Sequence, residues 1–408
     1  MIFLSQMTKG KPKKNRSASS QKYSKMKKNQ RNRYKPNYYP INHANRKEER
    51  ETDYEELRQI ISEEFGVPTD CRLYFLKKHD IKNLPDRPRI RITFGNSVIL
   101  DADTWEVIQV IRFHPFADMP TEKLDEFNFT VQNIYNHTLA RSEVLICGSV
   151  KGIEDWGEMR SAGFRAGFDK GRTFGVTAFS ATTGRNEHAI FEDQDRMLEM
   201  ASINEILAES MADLCLHAYQ SNRALAIKYS VPSFADPTWA ESPNANVVGS
   251  SIVCTRDGFN NNPHRDHDAS AYAYGLFARI NRLTGELHWV SKSDYLGDVE
   301  GCRFIIDEYH VEVLLDACDG VVETIWALGW MPIHPRDSPI TRFGCSLQIN
   351  KSLVGRIDTL LKLKEGKSDA EWQEFKKKVV KCYEQEVDVK LDKIHNPSQH
   401  YKSKSAKR

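Results

Sequence analysis

Residues 320–350, GVVETIWALGWMPIHPRDSPITRFGCSLQIN, contain two runs of strand-forming residues separated by a segment with three prolines. The runs at 320–330 and 341–350 carry β-branched and aromatic residues, which favour strands. Proline cannot donate to a sheet ladder, so the segment between them predicts a loop. The stretch therefore predicts two strands joined by an irregular connection.

The same texture extends upstream of this pair. Four further β-rich runs, with the breakers DGFNNNP, RLTGE and ACDG among them, lie at 247–255, 271–280, 286–290 and 303–315. Short strands at this spacing predict a sandwich or barrel. Helical periodicity surrounds them, at 52–65, 121–137, 191–229 (broken near Asn222), 351–364 and 368–388. The fold class predicted is α+β, a β core flanked by helices.

Charge divides the chain into tails and a body. Residues 1–50 hold 15 Lys and Arg against 2 Asp and Glu, in a chain whose net charge is only +2. With few aliphatic residues this basic tail is expected to be disordered, and it suits nuclear import or phosphate contacts. A single catalytic unit is expected over 51–390: 51–230 supports the β core of 231–350, and helices at 351–390 close it. A flexible basic tail follows at 391–408.

Cysteine usage and hydropathy exclude other classes. The eight cysteines are scattered and form no CxxC pair, so a zinc site or a disulfide framework is not expected. There is no run of about 18 apolar residues, so no membrane span is expected.

The triplet HRD at 264–266 also occurs in the catalytic loop of protein kinases. A lysine in a VAIK-like context, Lys228, precedes His264 by only 36 residues, too few for the elements that a kinase places between them. The Asn that a kinase needs five residues after the Asp is Ala271. The spacing therefore excludes a kinase.

An alternative for HRD is two ligands of a mononuclear iron site. Residues i and i+2 of a strand project to the same side, so His264 and Asp266 could bind one ion. Taken alone, such a pair is more often a polar turn. A third ligand should follow on a later strand, and His334 fits this position better than its rival His310, which would otherwise be a surface or core histidine.

Fe(II) sites of this kind commonly use 2-oxoglutarate, whose carboxylate suits the planar fork of arginine. Arg342 lies eight residues after His334, and Ser346 falls on the same strand face as a possible hydroxyl donor. The alternative for Arg342 is a surface salt bridge. The ordered set of H-x-D, His and Arg is more specific than any one member.

These residues resemble the fungal Tet-like Fe(II)/2-oxoglutarate-dependent dioxygenases of the Tet/JBP group. The resemblance covers about half of the chain. It rests on PSFADP (232–237), SSIVCTRDGFNNNPHRDHD (250–268), SAYAYGLF (270–277), DGVVETIW (319–326) and TRFGCSLQINKSL (341–353), and more loosely on GEMRSAGFRAGF (157–168).

The resemblance implies a double-stranded β-helix, or jelly roll. It implies Fe(II) on His264, Asp266 and His334, and 2-oxoglutarate on Arg342, with O2 as co-substrate and ascorbate as activator. Family members often place a Ser or Thr two residues after the arginine. Here that residue is Gly344, which leaves the role of Ser346 open. The Cys-rich zinc region of animal relatives has no counterpart, so no zinc is expected.

The implied reaction is oxidation of methylated DNA bases after base flipping. The first choice is 5-methylcytosine to its 5-hydroxymethyl, 5-formyl and 5-carboxyl forms, and N6-methyladenine demethylation is the alternative. An RNA or protein hydroxylase and a non-catalytic DNA-binding module are further alternatives. The expected protein is a nuclear monomer with no membrane attachment.

Substrate contacts can be nominated from residue type and position. An acidic side chain can accept from the exocyclic amine of either base, and Asp337 is nominated, although it could instead cap a turn. Tyr272 and Trp330 are nominated for stacking, although aromatic residues at strand spacing are more often core. Backbone phosphates are assigned to a Gly-interleaved basic stretch that could equally be a solvated loop, namely Arg160, Arg165, Lys170 and Arg172.

Overall fold

A computed structural model describes most of the body of the chain. The described residues are 48–86, 88–144, 157–167, 173–242, 246–257, 259, 268–288, 303–327 and 340–397. Most of the basic N-terminal tail and the last eleven residues lie outside them. The α+β prediction is confirmed, and two facing β-sheets with helices on one side are consistent with a jelly roll.

Thirteen strands occur in the described part of the chain. They are β1 (Arg72–Leu76), β2 (Ile90–Ile92), β3 (Asn96–Asp101), β4 (Val107–Pro115), β5 (Glu158–Ala166), β6 (Phe174–Val176), β7 (Ser251–Arg256), β8 (Ala273–Asn281), β9 (Arg303–Ile306), β10 (Val311–Leu314), β11 (Gly320–Trp326), β12 (Ile340–Gln348) and β13 (Val380–Lys381). Ten form a large sheet in the order β1-β3-β4-β11-β8-β12-β7-β5-β6-β13. The other three form a small sheet in the order β2-β10-β9.

Seven helices accompany these strands within the described residues. They are α1 (Glu48–Phe65), α2 (Thr121–Leu139), α3 (Glu187–Leu214), α4 (Leu216–Tyr229), α5 (Lys351–Lys364), α6 (Asp369–Val379) and α7 (Tyr383–His395).

The two faces of the large sheet pack against different layers. In β12, Phe343, Cys345 and Leu347 belong to the buried cluster that includes the apolar faces of α2, α3 and α4. Successive side chains of a strand alternate between faces, so Arg342, Gly344 and Ser346 point to the opposite face. That inner face is covered in part by the small sheet, through a second buried cluster that contains Phe277 and Val311.

Several element boundaries differ from the sequence prediction. The first helix begins at Glu48 rather than at Thr52. The long helical region breaks at Cys215, whose backbone is extended, and Asn222 lies inside α4. Asn222 is buried there because its amide donates to the carbonyls of Val248 and Tyr272, so a tertiary contact retains a residue that local propensity disfavours.

Two other predicted elements are divided. The run 303–315 is not one strand, because a 3-10 turn at Asp307–Tyr309 separates β9 from β10. The closing segment 368–388 is two helices, since Val380–Lys381 forms β13 and pairs with β6. Residues 88–113 also contribute to both sheets, since β2 joins the small sheet while β3 and β4 join the large one.

Candidate cofactor and metal site

Arg342 lies on the inner face of β12 and is 7% exposed. Its Nη1 donates to the carbonyl oxygen of Leu315 at 3.0 Å. Within the described part of the chain, its Nε and Nη2 have no hydrogen-bond partner. An unmade hydrogen bond of a buried charged group costs on the order of 1–3 kcal/mol. Two neighbouring orphan donors of one guanidinium match the geometry of a carboxylate, so Arg342 fits the acid group of 2-oxoglutarate.

A second buried cation lies beside Arg342. Arg279 on β8 is its direct cross-strand partner and is also 7% exposed. Both arginines act on the buried thiol of Cys318: burial and Asp319 raise its pKa to about 11, and the two arginines oppose that rise. Like charges directly opposite each other on neighbouring strands are unfavourable. A bound anion would relieve this, which again suits a dicarboxylate.

The structure explains why glycine stands two residues after Arg342. A Cβ on Gly344 would come within 2.8 Å of the Phe277 ring, so a serine there would displace this aromatic side chain. Ser346 is half-buried and shares the face of Arg342, as the alternation predicts. Four residues of extended strand separate their Cα atoms by roughly 13 Å. A shared role in holding one carboxylate therefore stays a prediction.

The described residues on either side of the segment with His264 and Asp266 contact the two ends of β12. At one end, the backbone N–H of Asp257 donates to Thr341 Oγ1 at 2.9 Å. At the other end, Asp268 forms a β-bridge with Asn350.

The described residues on either side of the segment with His334 also lie at the two ends of β12. β11 ends at Trp326, which pairs with Ala273, and the next residue of β8, Tyr274, pairs with Leu347 of β12. The chain then returns to begin β12 at Ile340. Both segments are thus bounded by the two ends of the strand that bears Arg342.

Seven nominated site residues lie outside the described residues: His264, Asp266, His334, Asp337, Trp330, Lys170 and Arg172. Among the residues that the structure does describe, no group of three or more His, Cys, Asp or Glu side chains could hold a metal ion. The iron assignment therefore stays a prediction.

Tyr272, nominated for stacking, directly precedes β8 and is partly buried. It packs with the helix-side cluster, and its ring meets His217 of α4 edge-on, with centroids 6.0 Å apart. Burial raises the pKa of its hydroxyl to about 12. The ring therefore packs against the helix-side cluster, and its stacking role stays a prediction.

Arg160 and Arg165 lie on β5, and their surroundings differ from those of free surface cations. The guanidinium of Arg160 donates to the carbonyls of Leu139 and Arg141 and pairs with Glu158 at 3.2 Å. It therefore joins β5 to the end of α2, and a phosphate would have to compete with these contacts. Burial lowers the pKa of Arg165. Their assignment to phosphates stays a prediction.

His310, the rival iron ligand, follows the 3-10 turn of the small sheet. It has a positive φ of 53° and is 5% exposed, and its carbonyl accepts from the N–H of Ile90. A regular strand over 303–315, as the sequence predicted, would give His310 an extended backbone. Its left-handed backbone instead identifies it as the end of a turn.

Asp257 is a residue that sequence reasoning missed. It has a positive φ of 56° and is 5% exposed, and its Oδ2 lies 2.8 Å from Arg282 Nη2 and 3.5 Å from Arg256 Nε. Together with its bond to Thr341, these contacts fix the start of the H-x-D segment against the strand of Arg342. The Asp-Gly pair at 257–258 was the available signal, since Asp tolerates left-handed backbone better than most residues.

A comparison with protein-family models identifies the family of this chain. The family model described as "Tet-like 2OG-Fe(II) oxygenase superfamily" matches residues 124–329, about half of the chain. The chain belongs to the Tet-like 2OG-Fe(II) oxygenase superfamily. The matched range includes His264 and Asp266 and ends before His334 and Arg342. Membership implies Fe(II) as the metal cofactor and 2-oxoglutarate and O2 as co-substrates.

One solved structure that resembles this oxygenase is NgTET1 in complex with 5mC DNA. The identity is 12% and the TM-score 0.39, over 74% of this chain and 92% of that one. No curated protein matches the sequence. Across the described residues, no helix has the length and apolar character required to cross a bilayer.

Proposed function

We propose that this oxygenase oxidises methylated bases in DNA, with 5-methylcytosine as the first-choice substrate. The observation that carries the proposal is the buried, half-satisfied guanidinium of Arg342. A folded protein gains little by burying two unpaired charged donors unless a ligand completes them. Family membership identifies that ligand as 2-oxoglutarate.

In this proposal His264, Asp266 and His334 hold Fe(II). The described residues that flank their two segments lie at the two ends of β12, the strand that bears Arg342, and this supports the assignment. Bound Fe(II) and O2 would oxidise a methyl group while 2-oxoglutarate loses CO2 to become succinate. Arg342 binds and orients the co-substrate, Ser346 is its candidate hydroxyl partner, and ascorbate would keep the iron reduced.

The base would have to leave the duplex to reach this face. Asp337 would accept a hydrogen bond from the exocyclic amine of the flipped base, and Trp330 would stack on it. The amine of cytosine and that of N6-methyladenine both suit a carboxylate. N6-methyladenine is therefore the second candidate substrate. Arg165, Lys170 and Arg172 would contact phosphates, and the basic tail would direct a monomeric enzyme to the nucleus.

The proposal is tested by measuring succinate release from 2-oxoglutarate with matched oligonucleotides. The set contains 5-methylcytosine, N6-methyladenine or no methyl group, in duplex and single-stranded form. We expect methylated DNA to stimulate turnover and Asp337→Ala to abolish that stimulation while uncoupled turnover persists. Equal turnover with methylated and unmethylated DNA would exclude a base dioxygenase. Stimulation by N6-methyladenine alone would change the substrate and keep the reaction class.

A further inference from the structure

A highly exposed leucine lies at the tip of the turn after β8. Leu283 is 86% exposed, the largest value among the exposed large hydrophobic residues in the part of the chain that the structure describes. Single exposed leucines are common on protein surfaces. This one differs in how firmly its backbone is held and in what surrounds it.

The turn at Asn281–Glu286 is tied to the body of the protein at several points. Asn281 Oδ1 accepts from the N–H of Leu283 at 2.8 Å, and the N–H of Asn281 donates to the carbonyl of Glu286 at 2.8 Å. Gly285 has a positive φ of 79° and lies against the Tyr135 ring, where a Cβ would come within 2.7 Å.

Helix α2 anchors the same turn from one side. Tyr135 Oη donates to the carbonyl of Arg282 at 2.8 Å, and Asn136 Nδ2 donates to that of Thr284 at 2.9 Å. The two carbonyls that accept these bonds belong to the residues immediately before and after Leu283. The backbone that presents the leucine is therefore ordered in advance, and insertion into a partner would cost little further entropy.

The tip lies at the end of the sheet where Arg342 is found. Asn281 pairs directly with Ile340, two residues before Arg342. Arg282, beside the leucine, is 33% exposed at its side chain and is held at 2.8 Å from Asp257. Glu286 is the acidic group of the turn, and its carboxylate accepts from the Thr284 hydroxyl at 3.0 Å.

A single projecting leucine does not suit a protein partner. Stable protein interfaces bury on the order of 1,000 Å² or more, and one side chain cannot supply this area. A DNA base step requires much less, because one apolar side chain can enter between two bases and replace the stacking of a lost neighbour. An adjacent arginine would meet the phosphate of the same step.

We propose that Leu283 is the wedge that enters the duplex and fills the space left by the flipped base, with Arg282 beside it on the backbone. The inference deepens the proposed function and rests on it, since only an enzyme that extrudes a base from duplex DNA needs such a residue. Single-stranded DNA has no stack to fill, so the wedge acts on duplex substrates alone.

The experiment compares Leu283→Ala with the wild type and with Leu198→Ala. Leu198 is 77% exposed on α3 and is a matched control for loss of a surface leucine. Turnover is measured on duplex and single-stranded methylated DNA. Base extrusion is followed separately, without O2, by fluorescence of 2-aminopurine placed next to the methylated base.

We expect Leu283→Ala to lower kcat/KM on duplex DNA by about tenfold or more, the equivalent of one lost leucine contact. Single-strand turnover and thermal stability should stay unchanged, and Leu198→Ala should match the wild type on both substrates. The 2-aminopurine signal should fall with Leu283→Ala, and Leu283→Phe should restore it.

Equal losses on duplex and single strands, or no loss on either, would overturn the wedge. The fluorescence signal separates the two proposals. If wild-type protein extrudes the base but never oxidises it, the proposed function fails and the wedge stands. If oxidation of duplex DNA proceeds and the signal ignores Leu283, the wedge fails and the function stands.

Discussion

Replacing Arg342 by methionine should strengthen the fold and remove co-substrate binding together. Methionine has a similar length and no charge, so the variant no longer buries the Nε and Nη2 donors, which have no hydrogen-bond partner among the described residues. Each orphan costs about 1–3 kcal/mol, while the lost Nη1 bond to Leu315 contributes about 1 kcal/mol. With two such orphans removed and one bond lost, the free energy of unfolding should rise by roughly 1–5 kcal/mol.

Binding should change in the opposite direction. Two charge-assisted hydrogen bonds to a carboxylate contribute about 3 kcal/mol or more, so the Kd for 2-oxoglutarate should rise at least about 100-fold. Urea unfolding measures stability, and anaerobic calorimetry with Mn²⁺ in place of Fe²⁺ measures binding. Arg342→Lys keeps one charge without the fork and should bind with intermediate affinity. A methionine variant that is less stable and binds 2-oxoglutarate normally would refute this account of Arg342.

Three further predictions concern neighbouring groups. His310→Asn should leave iron-dependent turnover intact because Asn tolerates the left-handed turn, whereas His334→Ala should abolish it; the reverse result would exchange the two histidines. Burial and Arg141 lower the pKa of His137. Below about pH 6.5 the unfolded chain therefore binds this proton and the folded chain does not. The free energy of unfolding should then fall by roughly 1.4 kcal/mol for each unit by which the pH is lowered. His137→Gln should flatten that slope in urea titrations between pH 7 and pH 5, and an unchanged slope would count against it. Asp257→Ala should lower the free energy of unfolding by about 3 kcal/mol or more. Asp257→Asn should lower it by about 1 kcal/mol less than Asp257→Ala does, because Asn tolerates a left-handed backbone better than Ala. Equal losses for the two variants would exclude a contribution from backbone strain.

The β core was predictable because its signals are local. Strand periodicity and turn residues located β7, β8, β11 and β12, and the alternation placed Arg342 and Ser346 on one face. Side chains whose role depends on distant partners were not predictable in this way. Asn222 was expected to interrupt a helix, and only the fold shows the carbonyls that accept its amide hydrogens.

Tyr272 shows the same limit at the candidate site. It was nominated for stacking as an aromatic residue, but the face on which a strand-edge residue lies depends on register, and a shift of one residue reverses that face. Asp257 was overlooked because its partners, Arg282 and Thr341, are 25 and 84 residues away in sequence. Long-range ion pairs of this kind leave no periodic signal.

The central claim is that His264 helps bind an iron that oxidises a methyl group on DNA. The most direct test is mass spectrometry of nucleosides from two duplexes, one with 5-methylcytosine and one with N6-methyladenine, each incubated with protein, Fe(II), 2-oxoglutarate and isotopically labelled O2. The account predicts 5-hydroxymethylcytosine that carries the oxygen label with wild-type protein, and none with His264→Ala. Unchanged 5-methylcytosine and N6-methyladenine with active, iron-loaded protein, or equal labelled product from His264→Ala, would contradict it.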